Sequence, residues 1–462
     1  MSTTLPVNDR RNLASRAALA NGPAGLPFVG NILEFMPNPL GFLLRMANEY
    51  GALARFRLGG VTANQVNHPD GVQRVLLDNN HNYYKGDNWE PLRQVGGNGL
   101  FTSEGNFWLS QRRLMQPAFH RQRIAGFSGI MVGRAREMLE RWEIAADNGT
   151  PIDISQEFSA LTMAIIMDAM FSSRIQAHTR EVSQAITLLL EDINFRFIVP
   201  FYPKMNVPTL RNLRARRALA VIDQVVYQII QERRSSGEQR DDLLGMLMDA
   251  KDEETDEAMT DRQLRDEVIT IFIAGHETTA VLLGWLFHAL AQHAAVQEQL
   301  YAEVDQALNG RLPGLADLPS MPYLRMVIDE TLRLYPPAWI TNRQCRQDDE
   351  ICGYRIPAGE VVAISPYVLH RLPEYWEAPE HFDPQRFNPQ HADERPRFTY
   401  LPFGAGPRQC IGNNFALLEA QLIIATLTQQ VRLTPVAGKV VKPNPVLTLR
   451  AKDGIWMKVE RR

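Results

Sequence analysis

Three cysteines stand in this chain, Cys345, Cys352 and Cys410, and one of them sits where a thiol is chemically useful. Cys410 lies in the run 401–416, LPFGAGPRQCIGNNFA. Its glycines let backbone amides approach the sulfur, and a helix starting just beyond it favours negative charge there. Both effects favour thiolate over thiol, and thiolate is the form that binds metal. Arg408, two residues ahead, is a cation suited to an anionic cofactor group. A lone cysteine is nevertheless most often a buried bystander, so Cys410 by itself decides nothing. Cys345 and Cys352 fall at no ligand spacing and read as bystander thiols.

A second cluster, residues 274–279, reads AGHETT. Gly275 admits a ligand close to the backbone, or a local distortion of the helix. Glu277 and Thr278 set a carboxylate beside a hydroxyl, a pair able to hand protons on. His276-Glu277 also opens the zinc motif H-E-x-x-H, but position 280 is Ala280, so the second ligand is missing. Farther on, Glu330 and Arg333 share a helix face, and Arg386 stands in Pro384-Gln385-Arg386-Phe387. Trp108 and Arg112 lie one helical turn apart and can grip one carboxylate. Taken singly, each of these groups reads equally well as packing or surface pairing.

In order along the chain, these segments resemble the cytochrome P-450 family. Phe403, Gly406, Arg408, Cys410 and Gly412 fill all five fixed positions of its haem motif, F-x-x-G-x-R-x-C-x-G. Residues 274–279 match its oxygen-binding stretch, 330–333 its E-x-x-R, 384–387 its P-x-R-F and 108–112 its W-x-x-x-R. Gln385 departs from a frequent Glu and leaves Arg386 intact. The resemblance runs from about Gly22 to the C-terminus.

What the resemblance implies is specific. Cys410 becomes the axial ligand to the iron of haem b, a thiolate whose electron push favours O–O cleavage, with Phe403 packed by the sulfur. Arg408, Trp108, Arg112 and Arg343 meet the propionates. Glu330, Arg333 and Arg386 form a structural network bracing the cysteine loop. Thr278 and Glu277 are the catalytic residues, serving O2 as co-substrate and relaying protons. The expected reaction is insertion of one oxygen atom from O2 into an apolar organic substrate, by hydroxylation or epoxidation. Electrons come from a separate partner, a ferredoxin with its reductase or a flavodoxin-type reductase. Phe195, Phe197, Phe201, Trp339, Ile340 and Leu447 are the candidate pocket residues, and the loop holding Gly96, Gly97 and Gly99 is a candidate mobile lid. Arg112, Arg113, Arg121 and Arg123 form either a solvated basic face or a docking patch for an acidic partner. Two other readings stay open: a haem-thiolate peroxygenase or isomerase, and a non-catalytic haem-binding sensor. Intact Glu277-Thr278 speaks against the first, and nothing resembling an output domain supports the second.

The elements that must hold these residues are mostly helical. Helical patterns cover 107–119, 124–147, 153–170, 179–194, 209–235 and 241–250. Thr260 with Gln263 makes a capping box, and from there an apolar-rich helix runs without Pro to about His293. Another helix covers 322–334 and is stopped by Pro336-Pro337. Gly59-Gly60 between 52–58 and 61–66 signals a hairpin. Short strands follow at 354–356, 361–364, and 446–449 paired with 454–459. The expectation is a mainly α fold with a smaller β-rich portion, and the resemblance implies a triangular helical prism around haem with a long central helix. Residues 1–21 read as a mobile segment and 22–462 as a single domain.

Composition fits this. The chain has 462 residues, 45% hydrophobic and 22% charged, enough for a large buried core. A net charge of −3 gives no case for nucleic acid. The apolar stretch 268–290 carries His276, Glu277, Thr278 and Thr279 at its centre, where hydrocarbon penalises them, so a buried helix is expected and no membrane anchor. No export signal is visible in the first residues, and a cytoplasmic monomer is expected.

Overall fold

Alternating side chains on either side of Gly59-Gly60 fold into the expected hairpin. In the computed structural model, which describes residues 17–171, 179–199, 202–237, 240–252 and 256–462, β1 (Leu53–Leu58) pairs antiparallel with β2 (Val61–Val66), Leu58 opposite Val61. Gly59 supplies the left-handed residue that the turn needs (φ 59°). The expected mobile segment 1–21 falls mostly on residues 1–16, outside the described residues, and Phe201 lies outside them too.

The chain forms two compact units. One comprises the stretch up to Asn88 with Leu332–Cys410, the other Trp89–Thr331 with Ile411–Arg462. The first is built on a five-stranded sheet. To β1 and β2 it adds β3 (Tyr83–Tyr84), β4 (Thr341–Cys345) and β5 (Val361–Ile364), in the order β1-β2-β5-β4-β3. Only β2 and β5 run parallel, Ala63 opposite Val361. Leu53, Val66, Val362 and Ile364 bury their side chains with Val72, Val75, Leu369 and Leu401. Each such side chain contributes about 1.5–3 kcal/mol. Leu401 opens the cysteine run, so the loop starts from the core.

The second unit is helical. Its elements include α1 (Gly105–Met115), α2 (Ile154–Phe171), α3 (Thr179–Ile198), α4 (Asp261–Gln292), α5 (Pro322–Leu334), which ends in the first unit, and α6 (Asn413–Thr428). The capping box is realised: Thr260 Oγ1 accepts the Gln263 amide and Gln263 Oε1 accepts that of Thr260. From there α4 runs 32 residues, apolar nearly all round and buried accordingly. By length and composition α4 could cross a membrane, but most of its apolar stretch is buried in the protein. Along it lies α2, with Phe158 stacked on Phe287 (5.4 Å between ring centroids) and Phe171 against Phe272.

Four boundaries differ from expectation, the first being the helix expected at 124–147, which starts at Ser128 after a separate short helix Arg121–Ala125. The helix expected at 107–119 stops at Met115, and a 3₁₀ turn Gln116–Phe119 follows, because Pro117 has no backbone N–H to continue the helical hydrogen-bond ladder. The one expected at 241–250 shrinks to Leu243–Asp249, with Asp242 capping it through the Gly245 amide at 2.8 Å. The pairing of 446–449 with 454–459 is replaced. Pro443–Pro445 pairs with Leu449–Ala451, which leaves 446–448 as the turn between them, and Trp456–Arg461 pairs with Val431–Pro435. The apolar side chains at 446–449 suggested a strand, while the period-two burial of 431–435 makes the better partner.

Candidate functional site

The candidate residues divide between the two units. In the first, the cysteine loop folds back on itself: the Cys410 amide donates to the Phe403 carbonyl at 2.9 Å. Gly404 and Gly406 both take φ near 70°. At Gly406 a Cβ would stand 1.9 Å from the Leu76 carbonyl oxygen, so only glycine lets the two backbones touch. Cys410 is exposed and in no disulfide, three residues ahead of the start of α6. Phe403 and Arg408 are half-buried.

Behind the loop stands a buried brace. Arg333, at the end of α5, donates to the carbonyls of His370 (2.9 Å), Pro379 (2.7 Å) and His381 (3.0 Å). His370 Nε2 accepts the Leu401 amide at 2.8 Å, which leaves Nδ1 to donate to the Arg333 carbonyl at 3.1 Å. Burial first, then the nearby guanidinium groups of Arg333 and Arg371, push His370 down to about 3. The neutral ring can therefore donate at one nitrogen and accept at the other. Glu330 is fully buried on α5, one turn before Arg333. Arg386 donates to the Ala378 carbonyl at 3.1 Å, and its own carbonyl accepts from Arg395, whose guanidinium lies over the rings of Trp376, Phe387 and Tyr400. Arg343, on β4, donates to Thr341 Oγ1 and the Asn342 carbonyl. Trp339 is buried and Ile340 half-buried.

In the second unit, α4 presents the acid–alcohol pair. Glu277 is buried; its Oε1 accepts from Thr448 Oγ1 and from Arg450 Nε, both at 2.5 Å. Its Oε2 is buried with no hydrogen-bond partner among the described residues. Thr278 is half-buried and donates to the Ala274 carbonyl at 2.8 Å. His276 is buried with Nδ1 on the Phe272 carbonyl, and burial holds its pKa below the usual imidazole value. Trp108 and Arg112 sit half-buried on α1.

The glycine loop is fastened to α4. Asn98 N–H donates to Asp266 Oδ2 and Leu100 N–H to Glu267 Oε2, each at 2.9 Å. A Cβ on Gly97 would meet the Asp266 carboxylate at 2.3 Å, and one on Gly99 would meet Thr270 Oγ1 at 2.2 Å. Burial pushes Glu267 up to about 8. Of the pocket candidates, Phe195 packs against Tyr202 with Arg211 over its ring at 3.8 Å, Phe197 is exposed, and Leu447 N–H donates to Asn194 Oδ1 at 2.9 Å. Arg113 forks onto the buried Asp252, while Arg121 and Arg123 are exposed.

Four contributors escape a reading of the sequence: His370, Thr448, Arg450 and Glu419. Glu419 is fully buried on α6 with neither oxygen hydrogen-bonded among the described residues. Burial pushes it up to about 8, opposed by the nearby Thr279 hydroxyl. A lone charge in the apolar run FALLEAQLIIA was the available signal.

The donor set fits a haem. An exposed thiol on a glycine turn, with an arginine two residues away, is what a soft-ligand iron in an anionic macrocycle requires. The chain matches the family described as Cytochrome P450 over residues 21–457. It is 37% identical over 431 residues to cyclooctatin synthase of Streptomyces melanosporofaciens, covering 93% of each chain. It is 38% identical over 417 residues to cyclooctat-9-en-7-ol 5-monooxygenase of the same organism, covering 90% of each. Pentalenene oxygenase of Streptomyces avermitilis is 33% identical over 428 residues, 92% of this chain and 94% of that one. Among solved structures, the heme domain of cytochrome P450DA superposes with a TM-score of 0.88 at 28% identity, covering 96% of this chain and 98% of that one.

Proposed function

The chain belongs to the cytochrome P450 family and is a monooxygenase of that family, and from that premise we propose that it hydroxylates or epoxidises a cyclic alkene or alkenol. The substrate class rests on the relatives: two of the names state such a compound, and the matches span nine-tenths of this chain or more.

The observation that carries oxygen activation is the Glu277 carboxylate, buried beside Thr278 with one oxygen unpartnered among the described residues. A carboxylate so placed can take a proton at Oε2 and pass it on, while the Thr278 hydroxyl can swing from the Ala274 carbonyl to orient oxygen. Neutral His276 adds no competing charge. In this reading Cys410 ligates the iron of haem b, and Phe403 packs by the sulfur. Arg408, Arg343, Trp108 and Arg112 hold the propionates, and Glu330, Arg333 and Arg386 brace the loop. When bound, the haem supplies activation of O2 and transfer of one oxygen atom; the protein's own residues orient, deliver protons and exclude water.

Phe195, Phe197, Trp339, Ile340 and Leu447 are the proposed pocket residues. Electrons come from a separate ferredoxin or flavodoxin-type partner. Because Arg113 is committed to Asp252, exposed Arg121 and Arg123 are the stronger candidates for docking it. The same reading makes residues 22–462 one functional domain, acting as a cytoplasmic monomer; three cysteines suit a reducing compartment.

The test is a substrate panel scored by the low- to high-spin shift of the purified haem protein. Pentalenene and related cyclic alkenes are expected to shift it, and a response to linear fatty acids alone would contradict the substrate class. Thr278→Ala should keep the parent spectrum and divert electrons to peroxide, and unchanged coupling of electrons to product would remove its role.

A further inference from the structure

The hairpin of Pro443–Pro445 and Leu449–Ala451 is anchored at four successive residues. Leu447 N–H donates to Asn194 Oδ1 on α3 at 2.9 Å, and Thr448 Oγ1 to Glu277 Oε1 at 2.5 Å. The Leu449 carbonyl accepts from Trp285 Nε1 at 2.7 Å, and Arg450 Nε reaches Glu277 Oε1 at 2.5 Å. Two of these four bonds converge on the same carboxylate oxygen. Glu277 is therefore asymmetric, with Oε1 held by an alcohol and a guanidinium and Oε2 buried and unpartnered among the described residues.

We propose that Thr448 and Arg450 are positioning residues for oxygen activation, a clasp that holds the Glu277 carboxylate by Oε1 and turns Oε2 toward proton exchange. The inference rests on the relay role of Glu277 given above. Its physics is direct. A buried carboxylate is costly to ionise unless paired and hydrogen-bonded, and removing one partner of such a pair leaves that cost uncompensated. The Arg450 side chain is 36% exposed and that of Glu277 only 4%, so this ion pair also joins the buried carboxylate to solvent. Without the clasp, the buried carboxylate would lose its charged partner and rotate between equivalent positions. The other titratable groups close by do not replace the guanidinium: His276 is held neutral by burial, and Glu419, beside Thr279, carries a raised pKa.

The experiment compares the parent holoenzyme with Glu277→Gln, Arg450→Ala, Arg450→Lys and Thr448→Val. Two readouts are taken: product formed per electron pair, and the infrared band of protonated carboxyl groups at neutral pH. Arg450→Ala is expected to gain a carboxyl band that Arg450→Ala/Glu277→Gln lacks, and to form product roughly tenfold more slowly. Arg450→Lys should restore both towards the parent, and Thr448→Val should fall between. If Arg450→Ala gains no band and couples like the parent while Glu277→Gln uncouples, the clasp is wrong and the relay stands. If Glu277→Gln itself couples like the parent, the relay reading fails first. Should Arg450→Ala not accumulate folded, Arg450→Gln keeps a donor of similar reach without the charge and is judged by the same two outcomes.

Discussion

His370 accepts the backbone amide of Leu401 on Nε2 at 2.8 Å, and that single bond fixes where the cysteine loop begins. The other ring nitrogen faces the Arg333 carbonyl, so one buried imidazole joins the end of α5 to the start of the loop. His370→Phe keeps the ring and removes both bonds. The unpaired amide and carbonyl should cost about 1–3 kcal/mol each, and haem content per protein should fall. Because folding lowers His370 from 6.5 to about 3, the unfolded state binds the extra proton between those values. Its contribution to stability is complete above pH 6.5 and is lost as pH falls towards 3. Denaturant midpoints measured across that window should decline less steeply in His370→Phe; an identical acid limb with full haem content would contradict the role.

Gly404 and Gly406 share a backbone conformation but not a neighbourhood. Alanine at either costs about 1–2 kcal/mol for the left-handed geometry. At Gly406 the new methyl also collides with the Leu76 carbonyl, while at Gly404 nothing lies within 4 Å. Gly404→Ala should thus retain haem at modestly reduced stability, and Gly406→Ala should lose most of it. Equal haem occupancy in the two variants would show that the contact with Leu76 does not hold the loop.

Glu419 makes the opposite pH prediction to His370. Its carboxyl rises from 4.5 to about 8 on folding because it is wholly buried. Between those values the folded state keeps a proton the unfolded chain has released, so stability falls as pH rises. Glu419→Gln preserves shape and cannot ionise. It should flatten the decline between pH 4.5 and 8 and be more stable than the parent at pH 8 by a few kcal/mol. Glu267 retains its own share of the slope. A thermal-unfolding series in which the variant declines as steeply as the parent would contradict a buried, protonated Glu419.

How much of this was legible in the sequence depends on the range of the contact. The cysteine run was visible because glycine, arginine and cysteine at fixed spacing describe one local turn, and α4 because a capping box and an unbroken apolar run are local too. The partners of Glu277 were not visible. Arg450 lies 173 positions away and leaves no periodic trace near residue 277. His370 was missed for the same reason: a histidine bridging two backbones looks like any other histidine. The residues around 446 carry apolar side chains that mimic a strand, whereas two prolines and a tight turn make them the tip of a hairpin. In sequence Arg113 reads as part of a basic cluster, and in the structure it is committed to Asp252.

Thiolate ligation by Cys410 is the claim on which everything else depends, and the carbon monoxide spectrum of the reduced protein tests it most directly. The parent should show the strongly red-shifted Soret band of thiolate-bound haem, and Cys410→Ser should abolish that band. A parent spectrum without the shift, or a Cys410→Ser variant that keeps it, would contradict the account.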